Sequence, residues 1–136
     1  MSYLLDTNVI SELRKGRRCD PGVASWFSGV SSDDLFLSVL TFGEIRKGVE
    51  KLRRRDPVAA QSLEGWLTRL VAAYSEHAFP IDQPVAEQWG RLNVPDPLPV
   101  VDSLLAATAI VHDLTLVTRN VDDVARTGVD CLNPFE

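Results

Sequence analysis

Three carboxylates sit where a purely structural role explains them least: Asp6, Glu44 and Asp102. Asp6 ends the apolar stretch Tyr3-Leu4-Leu5, Glu44 follows LFLSVLTFG, and Asp102 opens the most apolar helical stretch, VVDSLLAATAIVH. A fourth polar place, TRNVDD at residues 118–123, follows the apolar run LTLV and offers oxygen from Thr118, Asn120, Asp122 and Asp123. Each has a bland alternative. Asp6 could cap a helix, Glu44 and Asp102 could be first-turn acids favoured by the helix dipole, and TRNVDD could be a polar turn before a short helix. Yet all four fall at a strand end or a helix start, and in a parallel sheet such positions meet on one rim. Carboxylates crowded there would raise one another's pKa values or recruit a cation. Oxygen donors suit Mg²⁺ or Mn²⁺. His77 and His112 fall outside these positions, and Cys19 and Cys131 lack a zinc-ligand spacing, which argues against a zinc centre.

The elements that must position these groups alternate. Apolar runs at 3–6, 35–38, 114–118 and 129–132 read as short buried strands, with a weaker one at 78–81. Between them, helical periodicity predicts helices at about 9–15, from 21 through Trp26 and Phe27, at 41–54, from 57, from 82 and at 101–112. Asp20-Pro21 and Asp56-Pro57 pair an N-cap with proline at the first helical position, and Asp82 reads as a further N-cap. Residues 93–100 carry Pro95, Pro97 and Pro99 and must form a loop. Glu44 falls in the first turn of its expected helix, and Gly43 beside it suggests a close backbone approach. Strands alternating with helices predict an α/β fold, a three-layer α/β/α sandwich around a mainly parallel sheet. No repeat, linker or low-complexity segment divides residues 1–136, so a single domain is expected.

Composition narrows the function classes. A net charge of −5 argues against coating nucleic acid by bulk attraction. The cations are nevertheless clustered, at Arg14, Lys15, Arg17 and Arg18 and again at Arg46, Lys47, Lys51 and Arg53–Arg55. Such runs are either solvated helix ends or local phosphate contacts. No apolar run is long enough to span a bilayer, and Asp6 interrupts the first apolar stretch, so no secretory signal is recognised and a cytoplasmic protein is expected. Both cysteines are expected to be reduced thiols.

Taken together, LLDTNVISEL, SVLTFGEIRKGVEKL, DSLLAATAIVHDLTLVTRN and the ending GVDCLNPF closely resemble the PIN-domain family. More narrowly they resemble the VapC-type toxins of bacterial toxin–antitoxin pairs, with LNPF pointing to the FitB-like subgroup. The resemblance covers essentially the whole chain, and four motifs in the same order are far more specific than any one. It implies an endoribonuclease dependent on one or two Mg²⁺ or Mn²⁺ ions, cleaving RNA to a 5′-phosphate and a 3′-hydroxyl. The family's first three acids fall on Asp6, Glu44 and Asp102. The place of its fourth acid holds Asn120, so Asn120 would ligate as a neutral donor, or Asp122 or Asp123 would supply the charge. Thr7, Asn8 and Thr118 match positions that orient the carboxylates, and Arg119, Arg14 and Lys15 are candidate RNA contacts. The resemblance also implies a homodimer and a cognate VapB-like antitoxin, in a heterotetramer or larger complex. Ile10, Leu13, Trp26, Phe27 and Ile45 would line the antitoxin groove unless they are core. Two alternatives remain at this level: a catalytically silent PIN fold kept as a binding module, and a receiver-like Mg²⁺-binding signalling domain. The second would need paired acids after the first strand and a lysine after a late one; the chain has Asp-Thr-Asn and Thr-Arg-Asn there.

Overall fold

The computed structural model describes residues 1–136. In chain order the elements are β1 (Tyr3–Leu5), α1 (Thr7–Leu13), α2 (Pro21–Ser28), β2 (Leu35–Ser38), α3 (Val39–Arg53), α4 (Pro57–Ala73) and β3 (Ala78–Phe79). There follow α5 (Gln83–Leu92), α6 (Val100–Val111), β4 (Thr115–Val117), α7 (Val121–Val124) and β5 (Cys131–Leu132). Short 3-10 turns occupy Gly16–Arg18, Ser32–Asp34 and Ala125–Thr127. The five strands form one sheet in the order β3-β2-β1-β4-β5, and every pairing is parallel.

Alternation along the central strands builds two cores. Leu5 and Val117 face one side of the sheet, where they meet Val9 and Ile10 of α1, Val23 of α2, Ile45 and Val49 of α3, and Leu67 and Leu70 of α4. Their neighbours Leu4 and Leu116 face the other side and pack on Leu105, Ala106 and Ala109 of α6 and on Val124 of α7. Because side chains along a strand alternate between faces, three-residue strands suffice to serve both layers. The expected three-layer sandwich is therefore formed.

Local signals set the helix starts. Asp20 accepts hydrogen bonds from the backbone of Gly22 and Val23, Asp56 from Ala59, and Asp82 from Val85, all as N-caps. The third helix departs from expectation. Ser38, the last residue of β2, caps it by accepting from the Leu40 N–H at 3.1 Å, so α3 begins at Val39 and Glu44 lies beyond its first turn. Nor does Gly43 mark a close approach: a side-chain carbon there would meet nothing within 4 Å. Gly22 does, since a Cβ would lie 2.5 Å from the Pro134 carbonyl oxygen. Ile10 and Ile45 are core, at 4% and 5% exposure, which removes Ile10 from any docking groove. Trp26 packs edge-on against Tyr3. Cys19 and Cys131 are free thiols, and no helix is long and apolar enough to cross a membrane.

Candidate active site

With all strands parallel, the residues after β1, β2 and β4 share the sheet's carboxyl rim. The strand order reverses beside β1, since the chain passes first to β2 on one side and later to β4 on the other. Crevices at such reversals are where open α/β sheets bind ligands. Asp6 stands there, joined to β4 by its own N–H, which donates to the Val117 carbonyl at 2.9 Å.

The Asp6 carboxylate is 5% exposed. One oxygen accepts from the Thr7 N–H at 2.6 Å, and the other from the Thr118 hydroxyl at 2.7 Å. The Asn8 amide lies 3.5 Å from that second oxygen and accepts, through its own Oδ1, from the Arg119 N–H. Asp6 is thus both the cap of α1 and a member of the rim. Its pKa is raised from 3.8 to about 6, first by burial and then by the negative charges of Asp102 and Glu44; the Thr118 and Thr7 hydrogen bonds oppose the rise.

Glu44 projects from α3 and accepts from the Thr7 hydroxyl at 2.6 Å. The buried Thr41 hydroxyl stands 3.4 Å from the same Thr7 oxygen. Asp102 lies in the first turn of α6. Burial pushes its pKa up, and the charges of Asp123 and Glu44 push it further, against the side-chain amide of Asn120. Two devices fix where α6 begins. Asn93 donates to the Trp89 carbonyl and accepts from the Leu98 N–H, folding the proline-rich loop back on α5. Ser103 accepts from the Trp89 indole N–H at 3.0 Å while its hydroxyl lies 2.7 Å from the Pro99 carbonyl. Arg126 reaches across to the Asp96 carbonyl.

Asp6, Glu44 and Asp102 therefore share one electrostatic neighbourhood, and Asp123 and Asn120 adjoin it through Asp102. Asp122 is exposed on α7 and enters none of these contacts. Thr118 also accepts from the Asn120 N–H at 3.0 Å, which ties the fourth position to Asp6 through a single hydroxyl. Arg119 is exposed and lies over the Phe135 ring, 4.1 Å from its centroid. Lys15 pairs with Glu12, and the Arg14 guanidinium carbon lies over the Trp66 ring, 5.6 Å from its centroid. Sequence reasoning missed Thr41, Trp66 and Arg69. Trp66 reads as core from its spacing, and nothing in the sequence brings Arg69 beside α1.

As the side chains stand, no three acids, histidines or cysteines converge on a single point at metal-ligand distance. The donor set still suits a hard cation. It is all oxygen, the charge of Glu44 raises the pKa of both Asp6 and Asp102, and no lysine or arginine is ion-paired with Asp6, Glu44 or Asp102.

A family profile for the PIN domain matches residues 3–129. The chain belongs to the PIN-domain family. This PIN domain is 31% identical over 139 residues to toxin FitB of Neisseria gonorrhoeae, spanning 97% of both chains. It is 29% identical over 140 residues to VapC ribonuclease Y4jK of Sinorhizobium fredii, spanning 98% of this chain and 97% of that one. Among solved structures, the FitAcB crystal structure from Neisseria gonorrhoeae superposes with a TM-score of 0.89 at 28% identity, over 98% of this PIN domain and 99% of that chain. Membership in this family removes the receiver-like alternative.

Proposed function

We propose that this PIN domain is the endoribonuclease toxin of a VapBC-type toxin–antitoxin pair, cutting RNA in the cytoplasm until a cognate antitoxin covers the acidic rim. The observation that carries the reading is the trio Asp6, Glu44 and Asp102 at the sheet's rim, none of them ion-paired with a lysine or arginine. Relatives over nearly the full length are named as a ribonuclease and a toxin. A similar solved chain comes from an assembly described as FitAB bound to a DNA fragment, which favours an antitoxin partner and a higher oligomer here as well.

Asp6, Glu44 and Asp102 would hold one or two Mg²⁺ or Mn²⁺ ions, with Asn120 or Asp123 adjoining. Bound there, the metal supplies activation of the attacking water and neutralisation of charge gathering on the phosphate. The chain's own residues do the positioning. Thr118 and the Thr7 N–H hold the two Asp6 oxygens in fixed directions, and the Thr7 hydroxyl holds Glu44. Asn93, Trp89 and Ser103 set the start of α6 and hence the place of Asp102. Protonated Asp6 would be a poor ligand, so metal affinity should weaken as pH falls through about 6.

The test is cleavage of total RNA by the purified, antitoxin-free protein with and without Mg²⁺ or Mn²⁺, beside Asp6→Asn, with the new 5′ ends sequenced. Metal-dependent cuts absent from the folded variant are expected. Equal cleavage by the variant refutes the assignment. A folded, metal-binding protein that cuts nothing would favour the silent binding module.

A further inference from the structure

Arg119 stands between two residues that reach the rim. Thr118 before it donates its hydroxyl to Asp6, and the side-chain amide of Asn120 after it meets Asp102. Whatever holds Arg119 in place therefore holds both of them. The sheet does so only in part. β4 ends at Val117, Thr118 gives its N–H to the Leu132 carbonyl at 3.0 Å, and α7 does not begin until Val121. Between these anchors the Arg119 N–H donates to the Asn8 side chain at 3.3 Å, and the Asn8 amide is itself 3.5 Å from Asp6. Both distances lie at the long, weak end for such bonds.

The side chain of Arg119 supplies the missing tie. Its guanidinium is exposed and has no carboxylate at ion-pairing distance. It lies instead over the Phe135 ring, with its carbon 4.1 Å from the centroid. A cation that close to an aromatic face is attracted by the ring's quadrupole. Glu12 of α1 adds a weaker pull. Its pKa is lowered first by the Lys15 hydrogen bond, next by the Asp20 N–H, and in smaller part by the charge of Arg119.

Phe135 is in turn well seated. It packs against the core that α1, α2, α3 and α4 share with Leu5 and Val117. Its N–H donates to the Asn133 side chain at 3.0 Å, which turns the chain back after β5. Pro134 is buried, and its carbonyl presses so close to α2 that a Cβ on Gly22 would lie 2.5 Å away. The glycine in α2 and the aromatic ring beneath Arg119 are separate features that serve one docked segment.

We propose that Phe135 is a positioning residue for the rim: its ring holds the Arg119 side chain, and through it the loop that aims Thr118 at Asp6 and Asn120 at Asp102. This rests on the nuclease reading. It adds a part for residues 133–136, which form no hydrogen bond with Asp6, Glu44 or Asp102.

The test reads the loop without RNA. Amide exchange is followed by NMR on the isotope-labelled chain in EDTA. In Phe135→Leu the Arg119 and Asn120 amides should exchange about fivefold faster, the factor for about 1 kcal/mol of lost cation–π contact. Amides in the middle of α6 should keep their wild-type rates. Phe135→Tyr, which retains the ring, should match wild type throughout. Gly22→Ala, which unseats the segment from its other side, should speed the same two amides. Mn²⁺ affinity by calorimetry should fall about fivefold in Phe135→Leu and in Arg119→Ala, and no further in the double variant. Unchanged exchange at Arg119 and Asn120 refutes the proposal. Equal acceleration along the whole chain refutes it too, since Phe135 would then only stabilise the fold. Additive losses in the double variant refute it as well, because the ring would not act through Arg119. A wild-type chain that binds no Mn²⁺ overturns the nuclease reading instead, while the exchange rates still decide whether Phe135 holds the loop.

Discussion

Replacing Asp6 by asparagine should stabilise the metal-free protein at neutral pH while removing activity. The Asp6 pKa is about 6 in the folded chain, against an ordinary 3.8. The folded chain therefore holds this proton more tightly than the unfolded chain does. Its contribution is fully present below about pH 3.8 and is lost as pH rises through about 6. The span from 3.8 to about 6, at about 1.36 kcal/mol per pH unit, is a loss of about 3 kcal/mol by pH 7.5. At pH 5 about half of it, roughly 1.6 kcal/mol, has been lost. Asparagine keeps the shape of the neutral acid, with an acceptor for the Thr7 N–H and a donor toward Thr118, and does not titrate. The stability gap between variant and wild type should thus widen by about 1.4 kcal/mol between pH 5 and pH 7.5. For a chain of this length that is a relative change in Tm of about 5 °C. Thermal unfolding of both proteins in EDTA across that range measures it. Millimolar Mn²⁺ should then raise the wild-type Tm and leave the variant nearly unmoved, since binding to the folded state alone stabilises it. A gap that does not change with pH in EDTA would refute the argument, for it would mean that burial does not set the ionisation of Asp6.

Thr118→Val should cost about 1–3 kcal/mol by leaving the buried Asp6 oxygen and the Asn120 N–H without their shared partner. It should also move the acid limb of the pH–rate profile upward, and a profile unchanged from wild type would count against it. Gly22→Ala should lower the Tm by several degrees, because its Cβ would sit 2.5 Å from the Pro134 carbonyl and force the C-terminal segment off α2; differential scanning calorimetry reads this directly. Gly43→Ala should do the opposite, adding about 1 kcal/mol in urea unfolding with cleavage intact, since the space beside it is open and the position is interior to a helix.

Much of this arrangement was legible because it rests on local chemistry. Asp20-Pro21, Asp56-Pro57 and Asp82 announce their helices, and LFLS bounds β2 to the residue. Asp6 at a strand end and Asp102 in a first helical turn were legible in this way, whereas Glu44 was expected in a first turn and lies beyond it. What escaped was set by competition or by distance. The start of α3 was misplaced because Val39 and Leu40 extend the apolar run of β2, and only the Ser38 hydroxyl says where the helix begins. β3 and β5 are two residues long, too short for periodicity to bound. The basic run from Arg46 to Arg55 looked uniform, yet Glu64 on the neighbouring helix neutralises part of it. Trp66 has the spacing of a core residue, and its other edge faces a cleft that exists only once α4 packs beside α1.

The hydrogen bond from Thr118 to Asp6 joins residues 112 positions apart. The first strand made is therefore the middle strand of the sheet, and it waits for nearly the whole chain before the neighbour that completes its rim exists. At about 5–20 residues per second, translation separates the two partners by about 6–22 s. Through that interval the nascent chain has Asp6 but no Thr118 to orient it, and for most of it no Asp102. A ribosome making this protein would thus carry an unfinished nuclease until almost the end of synthesis. Activity would arrive abruptly, as a property of the finished chain, which gives a partner made alongside it time to be waiting.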